Sequence, residues 1–214
     1  MKVAIIGATG FIGSKILTEA VSRGHSATAI SRHPENVSTQ DRTRAVKVEV
    51  TDIPALTEAL RGHDAVIHSA SPPREMEMDP KIATQLAITD AIIAATKAAG
   101  VKRLLAVGGA GTLKIDGVRH LDRPDFPQQF IGGATAGAKN KERIFQEKEL
   151  DWSVLSPSTM IVPGERTGKF RLGLDDLLRK PDGTSSISVE DYAVAIIDEL
   201  ENPKHSHKRF TVGY

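Results

Sequence analysis

The glycine-rich segment Gly7–Gly13 is the feature that most constrains how this chain can fold. It reads Gly-Ala-Thr-Gly-Phe-Ile-Gly, follows the apolar run Val3–Ile6 and opens the amphipathic stretch Phe11–Arg23. Glycine permits a tight turn at the first position, a close approach of bare backbone at the second and close helix-to-strand packing at the third. The free N–H groups at the start of a helix attract anions. The segment therefore predicts a strand–turn–helix unit that holds a diphosphate at its bend.

The rest of the chain alternates short apolar runs with longer amphipathic stretches, which is typical of repeated strand–helix–strand units. Its 214 residues are 40% hydrophobic and 26% charged, enough for one domain that spans residues 1–214. We predict an α/β Rossmann-type fold with a doubly wound, mostly parallel sheet of six or seven strands, helices on both faces and a small C-terminal substrate-side insertion. The predicted strands are Val3–Ile6, Ser26–Ser31, Ala45–Val50, Ala65–Ser69, Arg103–Val107, Trp152–Leu155 and Arg209–Val212.

Three stretches have the apolar period of helices: Phe11–Arg23, Pro54–Arg61 and Lys81–Ala99. Two others, residues 114–133 and 163–184, contain several prolines and glycines and fit the alternation poorly. Because ligands in open α/β sheets lie beyond the carboxyl ends of the strands, we interpret both as substrate-side loops. The alternative is that they are ordinary surface loops.

Composition excludes several classes of function. The chain has 28 Lys plus Arg against 27 Asp plus Glu, so no strong field favours nucleic acid as a partner. It has no cysteine, which removes disulfides, thiolate metal sites and cysteine nucleophiles, and we predict no metal site. No apolar run reaches the length of a membrane span, and Val3–Ile6 is too short for the core of a signal peptide. We expect a cytoplasmic protein without a membrane partner, either a monomer or a homodimer.

The end of the second predicted strand, Ser31-Arg32-His33, bears on which dinucleotide binds. An acidic residue there would contact the ribose 2′-hydroxyl of NAD, whereas Arg32 can pair with the 2′-phosphate of NADP, with Ser31 as a neutral donor. We therefore expect NADP(H) to be preferred and NAD(H) to be possible, unless Arg32 is simply an exposed arginine before a turn. Asp52, after the third strand, suits either the adenine amino group or the N-cap of a helix.

Small residues also follow the fourth, fifth and sixth predicted strands, which suggests a flat ligand that crosses this edge of the sheet. Lys139 could contact the cofactor or substrate, but the favoured interpretation is a solvated helix start over Lys139–Arg143. The predicted cofactor-binding residues are Gly7, Thr9, Gly10, Phe11, Ile12, Gly13, Ser31, Arg32, Asp52, Ser69, Ala70, Ser71, Gly108, Gly109, Lys139, Ser156, Pro157 and Ser158.

Three segments resemble one known family over nearly the full length of the chain: Gly7–Gly13 with Gly24-His25, Leu150–Pro157, and Pro163–Gly173. This family is the short-chain dehydrogenase/reductase superfamily in its atypical, extended-type branch, and more narrowly the proteins described as candidate NADH-flavin reductases. The resemblance implies NAD(P)-dependent reduction on a Rossmann fold. Glu165, Arg166 and Arg171, within or beside the third segment, are interpreted as polar groups at the rim of the pocket.

Members of this superfamily that act on alcohols use a tyrosine and a lysine four residues apart to move a proton. The chain has only Tyr192 and Tyr214, and Thr135 stands where the tyrosine before Lys139 would be. Thr135 and Lys139 are therefore weak catalytic candidates, and the catalytic residues stay unknown. A flavin or quinone needs no positioned acid, which favours a planar acceptor, with FMN or FAD as a possible substrate. The alternatives are a non-catalytic NADP(H)-binding redox sensor and a sugar-nucleotide epimerase or dehydratase with Lys139 or His68 as proton carrier.

Overall fold

The computed structural model describes residues 1–38 and 41–214, and this part of the chain forms five α-helices and twelve strands. The helices are α1 (Phe11–Ser22), α2 (Ile53–Leu60), α3 (Met78–Ala98), α4 (Ile131–Phe145) and α5 (Val189–Glu201). The strands are β1 (Lys2–Ile6), β2 (Ser26–Ser31), β3 (Thr43–Lys47), β4 (Ala65–His68), β5 (Arg103–Val107), β6 (Lys114–Ile115), β7 (Val118–Arg119), β8 (Asp151–Ser156), β9 (Met160–Val162), β10 (Arg171–Gly173), β11 (Ser186–Ser188) and β12 (Lys208–Gly213).

Eight of these strands form the central sheet, in the order β10-β12-β8-β5-β4-β1-β2-β3. All neighbours are parallel except β10, which pairs antiparallel with β12. The seven predicted strands all lie in this sheet, so the predicted Rossmann-type fold is confirmed. The predicted count of six or seven is one or two strands short, because β10 forms within the stretch 163–184 that we interpreted as a loop. A three-residue strand has too little hydrophobic pattern to be recognised without its partner.

The core lies in two layers, one on each face of the sheet. Alternate residues of β1 point to opposite faces, so that Val3 and Ile5 join one buried cluster while Ala4 and Ile6 join the other. The first cluster is closed by α1 and α5, and the second by α2, α3 and α4. Strands buried on both faces explain why the apolar runs are continuous rather than alternating.

Two boundaries differ from the sequence-based prediction for reasons of pairing and packing. The predicted strand Ala45–Val50 is observed as Thr43–Lys47, because β3 pairs only with β2, whose last residue, Ser31, lies opposite Lys47. Helix α4 begins at Ile131, well before the helix start that we expected near Lys139. Its glycine-rich first turns are poor helix formers, and extensive packing between α3 and α4 compensates for this.

The segment after β9 is held against the α1/α5 layer. Arg166 donates two hydrogen bonds of 2.7 Å to the Glu19 carboxylate on α1. Asp191, at the start of α5, accepts hydrogen bonds of 2.8 Å from the backbone N–H groups of Thr167 and Gly168. Arg166 is thus a structural anchor in this structure rather than a pocket-rim group.

Candidate functional site

The main cleft opens at the carboxyl edge of the sheet, where the strand order reverses on either side of β1. In doubly wound folds this switch point is where ligands bind. The cleft has a volume of about 830 Å³ and receives residues from the ends of β1, β4 and β5 and from α3 and α4. The lining residues are Gly10, Phe11, Ile12, Ser69, Ala70, Ser71, Pro72, Pro73, Arg74, Gln85, Val107, Gly108, Gly109, Gly133, Gly137, Asn140 and Ile161.

The turn between β1 and α1 leaves no room for side chains at two of its glycines. Gly7 has a φ of +84°, and a Cβ atom there would lie 2.8 Å from the backbone nitrogen of Ala70. A Cβ atom at Gly13 would lie 2.1 Å from the Gly7 carbonyl oxygen, so α1 packs directly on the turn. No side chain caps the start of α1 at Gly10, which leaves its first N–H groups facing the cleft. This cradle fits the diphosphate of a dinucleotide.

The residues expected at the adenosine end lie together beside this turn. The Thr9 and Ser31 hydroxyl oxygens are 3.0 Å apart, and Ser31 Oγ accepts a hydrogen bond from the His33 N–H. Arg32 is exposed and makes no ion pair within the described part of the chain. Asp52 instead caps α2, with its Oδ1 atom 3.0 Å from the Ala55 nitrogen. The structure therefore shows the N-cap alternative for Asp52.

The predicted residues after β4 and β5 line the cleft, whereas those after β8 lie beneath it. Gly108 lies over β8, because a Cβ atom there would be 2.9 Å from Ser156 Oγ. Ser156, Pro157 and Ser158 are all buried, and the Ser158 hydroxyl donates to the Val212 carbonyl at 2.9 Å. Their assignment to the cofactor site is corrected here, since none of the three is among the residues that line the cleft.

Helix α4 presents its least bulky residues to the cleft. Gly133, Gly137 and Asn140 follow the spacing of one helix face and all line the cleft. The catalytic candidates Thr135 and Lys139 lie about 200° around the helix from Gly133 and Gly137, respectively, because each residue advances by about 100°. Lys139 is exposed and its Nζ is 2.9 Å from the Glu142 carboxylate. Both residues are therefore corrected: neither lines the cleft, and Lys139 makes a surface ion pair.

A buried polar cluster, formed by His68, Gln85, Thr89 and Asn140, lies at the cleft wall, and Gln85 and Asn140 also line the cleft. The Thr89 hydroxyl lies 2.7 Å from Asn140 Oδ1 and links α3 to α4. His68 is 2% exposed, and its Nδ1 accepts from the Ala70 N–H. Burial lowers the pKa of His68 to about 4, from an ordinary 6.5; the Asn140 amide partly opposes this fall. Within the described residues His68 Nε2 has no hydrogen-bond partner. Of these four residues, the sequence singled out only His68 as a functional candidate. Gln85 and Thr89 lie on α3 and Asn140 on α4, and no local pattern shows that these helices bring them together.

Both tyrosines serve the fold rather than the cleft. The Tyr192 hydroxyl donates to the Leu155 carbonyl at 2.7 Å, and burial raises its pKa. The Tyr214 hydroxyl lies 2.8 Å from Asp191 Oδ2, beside the start of α5. Neither ring is among the cleft-lining residues.

No helix within residues 1–38 and 41–214 is long and apolar enough to cross a membrane.

Comparisons with known proteins agree with this geometry. A family model described as NAD(P)H-binding matches residues 7–203. The chain is 43% identical to a candidate epimerase from Bacteroides thetaiotaomicron, with a TM-score of 0.90 and 100% and 96% of the two chains covered. It is 38% identical to a protein from Burkholderia pseudomallei described as a candidate exported protein, with a TM-score of 0.89 and both chains covered completely.

A third solved structure is described as a candidate NADH-flavin reductase from Streptococcus pneumoniae. It is 31% identical to this chain, with a TM-score of 0.82 and coverage of 100% and 99%. The family match extends over most of the chain and begins at the glycine turn, where the cradle for a diphosphate lies. The chain belongs to the NAD(P)H-binding family of Rossmann-fold proteins.

Proposed function

We propose that this protein is an NAD(P)H-dependent reductase of flavins or quinone-like planar acceptors that works without a side-chain acid. The observation that carries this proposal is the chemistry of the cleft lining. Its polar groups are the hydroxyls of Ser69 and Ser71, the amides of Gln85 and Asn140, and the guanidinium of Arg74. None of these groups exchanges a proton readily at neutral pH.

A planar conjugated acceptor suits such a lining. Its reduced form is a delocalised anion or takes a proton from water, so a positioned proton donor is not obligatory. The acceptor would gain two electrons and one hydrogen from the reduced nicotinamide, and its second hydrogen from solvent. When it is bound, the cofactor supplies a hydride.

The chain's own residues have distinct tasks in this proposal. The backbone N–H groups at the start of α1 hold the diphosphate, and the segment Ser69–Ser71 lies against the nicotinamide-side ribose. Gly109, Gly133 and Gly137 have no atom within 4 Å of where a Cβ would be, so a flat ring can approach bare backbone there. Catalysis then consists of holding two rings close together and excluding water.

The preference for NADP(H) over NAD(H) rests on Arg32. Its guanidinium is exposed beside Ser31 and makes no ion pair within the described residues, so it is available for a 2′-phosphate. The candidate NADH-flavin reductase among the solved relatives supports a flavin as the acceptor.

An epimerase is the second candidate, because the relative with 43% identity is described as a candidate epimerase. Removal of hydride from a sugar carbon also requires a base for the hydroxyl proton. The cleft-lining residues within the described part of the chain include no carboxylate, histidine, lysine or tyrosine for this role. A third possibility, a redox sensor that binds NADP(H) without turnover, has the same cofactor site and needs no acceptor.

The three functions are separable by experiment. Purified protein is incubated with NADPH and FMN, FAD, riboflavin or a quinone, and cofactor oxidation is followed by absorbance, with NADPH binding measured in parallel by calorimetry. We expect turnover with at least one planar acceptor. Tight NADPH binding without turnover of any acceptor would refute the reductase and favour the sensor. Interconversion of a sugar nucleotide with bound NADP would favour the epimerase.

A further inference from the structure

Among the described residues that line the cleft, Arg74 is the single charged one. It follows β4 by six positions, on the side of the cleft where Ser69–Ser71 lie. Its side chain is exposed and makes no ion pair or hydrogen bond within the described residues, in contrast to Arg23, Arg166 and Arg209, each of which pairs with a carboxylate. A cation that faces a ligand cleft without a counter-ion is available to an anion.

The backbone around Arg74 is held in place. The Met76 N–H donates to the Pro73 carbonyl at 3.3 Å, which closes a turn with Arg74 near its tip. Lys81 on α3 donates from Nζ to the Arg74 carbonyl at 2.7 Å. Pro73 also restricts the turn, because its φ is fixed. The position of Arg74 at the cleft is thus a property of the loop and of α3, and the side chain itself is left free.

The acidic residues of the same segment do not neutralise Arg74. Glu75, Glu77 and Asp79 are exposed, none lines the cleft, and none forms an ion pair with Arg74. A carboxylate or phosphate that enters the cleft therefore meets one positive side chain, on a backbone that is held in place, beyond the start of α1. Guanidinium groups bind these anions through two parallel hydrogen bonds, which gives both affinity and orientation.

From this geometry we infer that Arg74 binds an anionic group on the acceptor, and that the site selects planar acceptors with a phosphate or carboxylate side chain over neutral ones. The inference rests on the proposed reductase function and specifies its substrate class. FMN and riboflavin form the decisive pair, because they share one ring system and differ by a phosphate.

The test is a binding measurement that needs no turnover. FMN and riboflavin are titrated into protein saturated with NADP⁺, and binding is followed by quenching of flavin fluorescence. We expect FMN to bind about tenfold or more tightly than riboflavin, as for one charge-assisted contact. Arg74→Gln should remove this difference by weakening FMN alone, and Arg74→Lys should restore part of it. Arg61→Gln is the matched control, because Arg61 is exposed, pairs with Glu58 and does not line the cleft.

Equal affinity of the wild-type protein for the two flavins, or no binding of either, would overturn the inference. An equal loss for both flavins in Arg74→Gln would do the same. If Arg74→Gln weakened NADP⁺ binding but left the ratio of FMN to riboflavin affinity unchanged, the inference would also be overturned, because Arg74 would then bind the cofactor rather than the acceptor. The reductase proposal is tested separately by turnover. Turnover of both flavins with equal affinity for FMN and riboflavin would refute only the role of Arg74. Tighter binding of FMN without turnover of either flavin would refute only the reductase proposal.

Discussion

The buried His68 should make the stability of this protein sensitive to mild acid. Its pKa is lowered to about 4 in the folded chain from an ordinary 6.5, with burial as the main cause. Below pH 6.5 His68 takes up a proton in the unfolded chain but stays neutral in the folded chain. The free energy of unfolding therefore falls as the pH falls from about 6.5 towards 4. Each unit of pKa difference corresponds to about 1.4 kcal/mol, so the full loss is about 3 kcal/mol and the loss by pH 5 is about 2 kcal/mol.

Urea unfolding of the wild-type protein and of His68→Gln at pH 8 and pH 5 tests this reasoning. The glutamine amide retains an acceptor for the Ala70 N–H but cannot be protonated in this range. We expect the wild-type protein to lose about 2 kcal/mol more than the variant between the two pH values. The carboxylates, including Glu19 and Asp191 with their lowered pKa values, titrate in both proteins and cancel in the difference.

His33→Gln is the matched control, because the side chain of His33 is 66% exposed. This variant should keep the pH dependence of the wild-type protein. If His68→Gln and the wild-type protein lose the same free energy of unfolding between pH 8 and pH 5, the pKa of His68 is not lowered by burial and the reasoning is refuted. His68→Asn serves the same comparison if the first variant does not fold.

Three further predictions follow from the site and its supports. Gly13→Ala should abolish NADPH binding in calorimetry, because its Cβ would lie 2.1 Å from the Gly7 carbonyl oxygen. Gly137→Ala should instead raise the free energy of unfolding by up to about 1 kcal/mol, because alanine is the better helix former. If both variants changed NADPH binding and stability to the same extent, the packing described would be contradicted. Arg32→Glu should raise the Kd for NADPH far more than that for NADH, and equal losses for both cofactors would refute the 2′-phosphate contact. Asp191→Asn should lower the free energy of unfolding in urea by about 2 kcal/mol, because Asp191 holds the segment after β9. The Kd for NADPH should stay the same, and unchanged stability would contradict this structural role of Asp191.

The sequence alone determined the layout of the domain and the first part of the site. The bend at Gly7–Gly13 is a local feature, because its glycines are required by contacts within the strand–turn–helix unit itself. Most of the long strands were recognisable since burial on both faces makes a continuous apolar run. The edge strand β3 is the exception, because its residues are exposed or half-buried. The cap of α5 is a local feature as well, because Ser188 stands three residues before Asp191 and its hydroxyl accepts from the Asp191 N–H at 3.0 Å.

Only the tertiary structure decided which residues of the later segments face the cleft. The sequence pointed to Lys139, but the packing of α4 on α3 turns Gly133, Gly137 and Asn140 towards the ligand instead. Ser156–Ser158 had the composition of a ligand loop, but the structure buries these residues and none of them lines the cleft. The role of Arg166 depends on a partner 147 positions away along the chain. Orientation around a helix axis and pairing between distant segments are set by long-range contacts, which no local pattern of residues contains.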